Sequence, residues 1–473
     1  MKKAANYTLL ISLLLSGCMT VGPDYQQPKM IVPKQWGISL EGIKSNQQLA
    51  HWWQQFNDAE LNRLMIIALS ANLDFKQTLL KIKDLRAQRA AVFSDALPKF
   101  TVRSTATRRF NNISGTSGST QSGGGLGIGN NIYNIFQNGF DAQWEIDFFG
   151  GVQRALESAQ ATIDSELENS RAVKVTLLAE VASYYLQLRE NQQLLSITQA
   201  NLDVQRESLV LSKVRHESGF ASLLEVTQAE AQVAETEAQL PTYQIQISQS
   251  IHALSVLLAK QPDELTSQLT AMTSIPQPAA ILWPDLPSEL LQRRPDIRRA
   301  ERQLAAASAD IGVATSQLYP KLSITAFLGL QNTKITEFTP ISKSWSTAAS
   351  LSMPILNWGK ITANIDSKKA IAEQQGLVYQ ATVLTAFKEV EDALVAYTQE
   401  LRRQQSLNES VAANKLAVQL ANERYQKGLT SYIDVLTSQQ TLYLSESKLA
   451  TSKAELSSQF ISLYKALGGG WQS

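Results

Sequence analysis

The chain has 473 residues, with 43 Lys+Arg against 42 Asp+Glu and 44% hydrophobic residues. That length holds two or three ordinary domains, and the balanced charge excludes a broadly basic, nucleic-acid-binding surface. With one cysteine and three histidines (His51, His216, His252) there is no Cys/His zinc cluster, and HExxH, GxxxxGK[ST] and GxSxG are all absent, so neither an enzyme nor a metal site is expected.

The start, MKKAANYTLLISLLLSGCMT, pairs Lys2 and Lys3 with a short apolar run, Thr8–Leu15. A membrane-spanning helix needs about 20 apolar residues, so residues 1–17 read as an export signal. Two readings stand for Cys18: an incidental residue after a processed signal, or a lipid-bearing one. Leu15-Ser16-Gly17-Cys18 resembles the bacterial lipobox, which implies cleavage before Cys18 and a covalent lipid on it, the only prosthetic group expected. Met19 in place of Asp is similar to lipoproteins released to the outer membrane. No later stretch is long and apolar enough to be a transmembrane helix, so any crossing requires a closed β-barrel.

Residues 58–100 carry a helical pattern and end in Pro98-Lys99. Two alternating stretches follow, FTVRSTATRRF (100–110) and GFDAQWEIDFF (139–149), each of about the length of a membrane β-strand. A soluble hairpin and a membrane hairpin fit them equally. The Gly/Ser/Asn-rich segment between them lacks a following lysine or helix, so it reads as a loop at a hairpin tip and not a phosphate cradle. From Gly151 to Glu217 there is no helix breaker, which predicts one helix of roughly 100 Å at about 1.5 Å per residue.

The pattern then recurs. At an offset of 209, Gly150 matches Gly359, Glu180 matches Glu389, His216 matches Tyr425 and Leu254 matches Leu463. Two turn segments stand in the same register: Gly219, Ser222 and Glu225 match Gly428, Ser431 and Asp434. Apolar residues repeat every seven positions in each long helix: Val181, Leu188, Leu195, Leu202 and Leu209, then Val390, Tyr397, Val411 and Val418 with Gln404 as a polar exception. The returning helices carry Val226, Val233, Leu240, Ile247 and Leu254, then Val435, Leu442, Leu449, Leu456 and Leu463. A seven-residue seam predicts supercoiled helices, and Pro241, matched by Ala450, predicts a kink in the first copy alone. KLSITAFLGLQ (321–331) and SWSTAASLSMPIL (344–356) are the second strand pair. RRPDIRRAER (293–302) reads as a salt-bridged helix start with Pro295 in its first turn.

The expected organisation is therefore a signal peptide (1–17), a lipidated segment (18–57), a first repeat (58–265, with strand pair 100–149 and long helices 151–260), a linker (266–285) and a second repeat (286–473, with strand pair 321–356 and long helices 359–467).

CMTVGPDYQQP (18–28), LPSELLQRRPDIRRAE (286–301) and ERYQKGLTSYIDVLTSQQTLY (423–443) together resemble the lipoprotein branch of the TolC/OprM outer-membrane efflux channels, across essentially the whole mature chain. The resemblance implies a homotrimer in which each chain gives four strands to a twelve-stranded barrel in the outer membrane lipid. The long helices form a periplasmic α-helical coiled-coil barrel. It implies a passive exit duct for drugs or other small toxic compounds, partnered by a periplasmic membrane-fusion adaptor and an inner-membrane pump of RND type, with no nucleic acid. Gly219 and Gly428 then turn at the narrow periplasmic tip. Asp434 matches a constricting aspartate and Tyr425 a tyrosine of the hydrogen-bond lock. Glu225 is the first-copy counterpart of Asp434. Thr437 and Thr430 depart from a second aspartate and a basic lock residue in some relatives. A solvated residue near a turn is the other reading of both acids. Protein secretion or metal-ion efflux on the same fold, and a lipid-anchored scaffold without a pore, are the alternatives.

Overall fold

A computed structural model describes residues 20–37, 48–111, 131–279 and 287–471; the signal segment, Cys18, part of the linker and the Gly/Ser loop lie outside them. Two compact units are present, and neither coincides with a sequence repeat. Of the described residues, one draws on those within 1–28, 83–163 and 302–376, the other on those within 29–82, 164–301 and 377–473.

The first unit contains an antiparallel sheet of four strands in the order β1 (Lys99–Asn111), β2 (Asn131–Ile146), β3 (Lys321–Asn332) and β4 (Lys343–Ser352). Each repeat supplies one hairpin, and β2 joins β3 with Gly139 opposite Gly329. Alternation sorts the side chains onto two faces. Phe100, Val102, Phe140, Ile324, Leu328, Trp345 and Leu351 share one face and are all exposed. Lys99, Arg103, Asp141, Glu145 and Lys321 share the other, where Arg103 pairs with Asp141 at 3.1 Å and Lys321 with Glu145 at 2.9 Å. Strands β1 and β4 each pair on one side only.

Two strands, β2 and β4, depart from their expected bounds by more than one residue. β2 starts at Asn131 and not 139, because Asn131–Asn138 pairs in register with Ser104–Asn111. It stops at Ile146 because Asp147 leaves the ladder to accept the Gln153 backbone N–H at 2.9 Å, opening the next helix. β4 stops at Ser352, two residues before Pro354, which has no N–H for a ladder. A clasp also sits in this unit: the buried Arg154 guanidinium donates to the Val21 and Gly22 carbonyls and to Asp24 Oδ1 (2.6 Å). Thr20 is thereby held against Gly150, just past β2.

The helices are α1 (Ala59–Ala71), α2 (Leu73–Ser94), α3 (Gly151–Glu217), α4 (Leu223–Glu237), α5 (Leu240–Leu257), α6 (Thr266–Leu269), α7 (Pro287–Arg293), α8 (Pro295–Ser316), α9 (Lys360–Gln426) and α10 (Tyr432–Ala466). Helix α3 runs 67 unbroken residues, and so does α9. The first returning helix breaks at Ala238–Gln239, just ahead of Pro241, while α10 runs 35 residues without interruption. Every seven-residue seam position is buried or half-buried, Gln404 included.

The core of the second unit gathers Leu61, Leu64, Leu178, Val181, Leu188, Val390 and Phe460, with Trp52 stacked on Tyr464 at 5.8 Å. Here Arg293, Arg294 and Arg298 of the basic run 293–302 are held in ion pairs, and Arg299 donates to Asn169. Arg294, itself buried, reaches Asp296 and Glu389 (both 2.7 Å) and the Ala466 carbonyl. Arg298 reaches the buried Glu168 at 2.6 Å. Burial pushes the Asp296 carboxyl up, but the Arg294 hydrogen bond and charge outweigh it and hold the group below the ordinary aspartate value.

Candidate functional site

The two turns use one backbone device. At the end of α3, Gly219 adopts φ +79°, Phe220 N–H donates to the Arg215 carbonyl (2.8 Å) and Gly219 N–H to that of His216 (3.0 Å). At the end of α9, Gly428 adopts φ +71°, with Leu429 bonded to Arg424 and Gly428 to Tyr425, both at 2.9 Å. This is the Schellman ending, in which a left-handed residue lets the chain satisfy the last helical carbonyls. A Cβ at either glycine would meet nothing within 4 Å, so the backbone angle and not lack of room requires glycine.

Each turn then starts a new helix on a serine. Ser222 Oγ accepts the Glu225 N–H at 3.3 Å. In the second copy the Asp434 carboxylate turns back on its own helix start, accepting from the Ser431 N–H and hydroxyl (3.3 Å each) and from the Thr430 hydroxyl. The Thr430 bond, with the backbone bond behind it, holds the exposed Asp434 carboxyl below its ordinary range. Asp434 is thus a capping acid, charged at neutral pH and open to solvent, a role beyond that of a solvated residue near a turn. Thr430 serves it directly.

Tyr425 is buried together with Ala229, Tyr432 and Val435. Its hydroxyl donates to Glu225 at 3.4 Å, across from the first copy's returning helix. The Arg215 guanidinium lies 4.4 Å from the Tyr425 ring centroid and donates to the Tyr425 carbonyl at 3.3 Å. Tyr432 closes the other side, with ring centroids 5.6 Å apart. Burial raises the phenol pKa of both tyrosines, so each remains a protonated donor at neutral pH.

The structure therefore joins Tyr425 to Glu225 and leaves Asp434 engaged within its own turn. Cys18 lies outside the described residues. Arg215 and Tyr432 were missed from the sequence; the offset of 209 pairs Arg215 with Arg424 but sets Tyr432 against Leu223, so only the arginine carries a signal in the repeat. Such a cluster, of one cation–π contact, one long hydrogen bond and a few ring contacts, holds two hairpin ends together without chemistry. Its pieces are each worth about 1 kcal/mol, weak enough to release. Among the described residues no group of three His, Cys, Asp or Glu could hold a metal ion, and no helix is long and apolar enough to cross a membrane.

Comparison with known proteins places this geometry. The family description "Outer membrane efflux protein" matches residues 64–260 and 286–469. The solvent efflux pump outer membrane protein SrpC of Pseudomonas putida is 33% identical, over 97% of this chain and 97% of its own. The cation efflux system protein CusC of Escherichia coli is 31% identical, over 98% of each. The solved outer-membrane channel OprN is 32% identical, with a TM-score of 0.88 over 96% of this chain and 100% of its own. In sequence along nearly its full length, and in its four strands and paired long helices, the chain belongs to the outer membrane efflux proteins, TolC/OprM-type channels of the bacterial outer membrane.

Proposed function

We propose that three copies of this chain close a twelve-stranded barrel and form the passive exit duct of a tripartite efflux system. The observation that carries this reading is the sheet: one apolar, exposed face, one polar face, and two unpaired edges. Unpaired strand edges and an apolar face are both costly in lipid unless a barrel closes and faces the acyl chains. Four strands are too few to close alone, since the small membrane barrels have about eight.

In this duct the turns at Gly219 and Gly428 stand at the periplasmic tip, and the Arg215–Tyr425–Glu225 cluster keeps it closed. Asp434 contributes one acid per copy to a ring that favours cations there. Phe220, Leu223, Leu224, Leu429 and Ile433 are exposed beside the turns and offer an apolar docking end to a periplasmic adaptor. Energy comes from an inner-membrane pump, and Cys18 carries a lipid. The clasp on Val21–Asp24 supports that anchor, because it holds the chain two residues after Cys18 beside the end of β2.

The cargo is a small toxic compound, of the kind the name of SrpC gives for that relative; a cation, as in the name of CusC, is the competing cargo. The deciding experiment is planar-bilayer conductance of the mature protein, wild type beside Asp434→Ala. A small wild-type conductance that rises severalfold in the variant supports the duct and the tip acid. Absence of conductance from a heat-resistant trimer rejects the duct. Gene deletion then assigns the cargo by what accumulates: solvent or drug, cation, or a retained exoprotein.

A further inference from the structure

We infer that the outer end of the pore attracts anions, and that Arg109 sets this preference. The inference rests on the barrel reading above, which turns the polar face of the sheet inward. That face carries Lys99, Arg103 and Arg109 on β1, Asp141 and Glu145 on β2 and Lys321 on β3, and no charge on β4. Three of the four bases are neutralised: Lys99 by Asp95 (2.8 Å), Arg103 by Asp141 (3.1 Å) and Lys321 by Glu145 (2.9 Å).

Arg109 pairs with no acid among the described residues. It stands near the end of β1 remote from the helices, opposite Tyr133 in the register, and its side chain is exposed. The nearest acid on the face is Asp141, opposite Thr101. That is eight positions back along β1, or roughly 26 Å at about 3.3 Å per residue. Residues 112–130 contain no ionisable side chain. In the β3–β4 connection Lys334 and Glu337 cancel at 2.8 Å.

Three copies of an uncompensated guanidinium then ring the exit. A ring of arginines favours anions, as a ring of acids favours cations. The duct is therefore polarised: acid at the tip through Asp434, base at the exit through Arg109, and an anionic amphiphile is drawn outward once past the tip. An exposed charge reaches about 10 Å at 0.1 M salt and about 30 Å at 0.01 M, so the preference strengthens on dilution.

The test is the reversal potential of the full-length trimer under a KCl gradient, at high and low ionic strength. Arg109→Gln is compared with Arg108→Gln, whose side chain stands one residue away on the apolar face, and with Arg109→Glu. We expect Arg109→Gln to lower the chloride-to-potassium permeability ratio about twofold at 10 mM salt, Arg109→Glu to lower it further, and Arg108→Gln to leave it unchanged. Conductance with an unmoved ratio in both Arg109 variants overturns the assignment and leaves the duct standing. Equal shifts from positions 108 and 109 overturn it too, because the faces would then not be separated by a barrel wall. A wild-type trimer that does not conduct overturns the duct and this inference together.

Discussion

The two turns share a backbone and differ in what their side chains do. The left-handed glycine and the paired carbonyl bonds are the same within a few tenths of an ångström, and a serine opens the next helix in each. Yet His216 is exposed and hydrogen-bonds within its own turn, Nδ1 to the Ala221 carbonyl at 2.9 Å, while its counterpart Tyr425 is buried and contacts the other copy. The duplicated part is the bend. The contact that ties one copy to the other centres on Tyr425 in the second, and it draws Arg215 and Glu225 from the plainer first turn.

The largest expected effect comes from giving one turn the other's residue. Tyr425→His removes a buried ring, its cation–π contact and its bond to Glu225, and should destabilise the tip by about 2–3 kcal/mol. Faster hydrogen exchange through residues 421–436 and a raised conductance would report it. The mirror change, His216→Tyr, falls on an exposed site and should stay within about 0.5 kcal/mol. Equal effects from the two would dissolve the comparison.

Arg215→Gln should cost about 1 kcal/mol by the same measurement and Arg424→Gln much less, since Arg424 is exposed and, among the described residues, stacks on no ring. Gly219→Ala and Gly428→Ala should cost about 1 kcal/mol each, alike in both copies, because only the backbone angle is at stake. A large difference between them would mean that one turn is crowded in the assembled protein.

Acid should separate the turns most gently. The Asp434 carboxyl sits below its ordinary value of 3.8, so the cap it forms is intact above that value. It is lost as pH falls through the lower folded value. Exchange at Tyr432–Val435 should quicken on acidification below about pH 4, and in Asp434→Asn that acid dependence should vanish.

Much of this was legible in the residues. The first long helix follows from the lack of Gly and Pro between Gly151 and Glu217, and the single kink follows from Pro241, because helix periodicity and breakers are local signals. The β2 start was misplaced by eight residues because Asn131–Asn138 alternates weakly and is defined by its partner, β1. The Asp434 cap was readable in principle, as a serine followed three residues later by an acid. The Tyr425 cluster was not, since it depends on how 200 intervening residues return to meet Glu225.

The contact between Gly139 and Gly329 bears on how such a sheet comes into being. Phe327 lies across both glycines, and a Cβ at Gly139 would come within 2.5 Å of the Leu328 carbonyl. Each hairpin closes over a short span of chain, but this central seam joins positions 190 residues apart in the sequence. Long-range pairing of that kind is slow, because the loop must be closed before any contact rewards it. The first hairpin therefore waits with both edges open while the second repeat is synthesised and exported. A chain cut after residue 265 should be left as an aggregation-prone half, with no partner for β2.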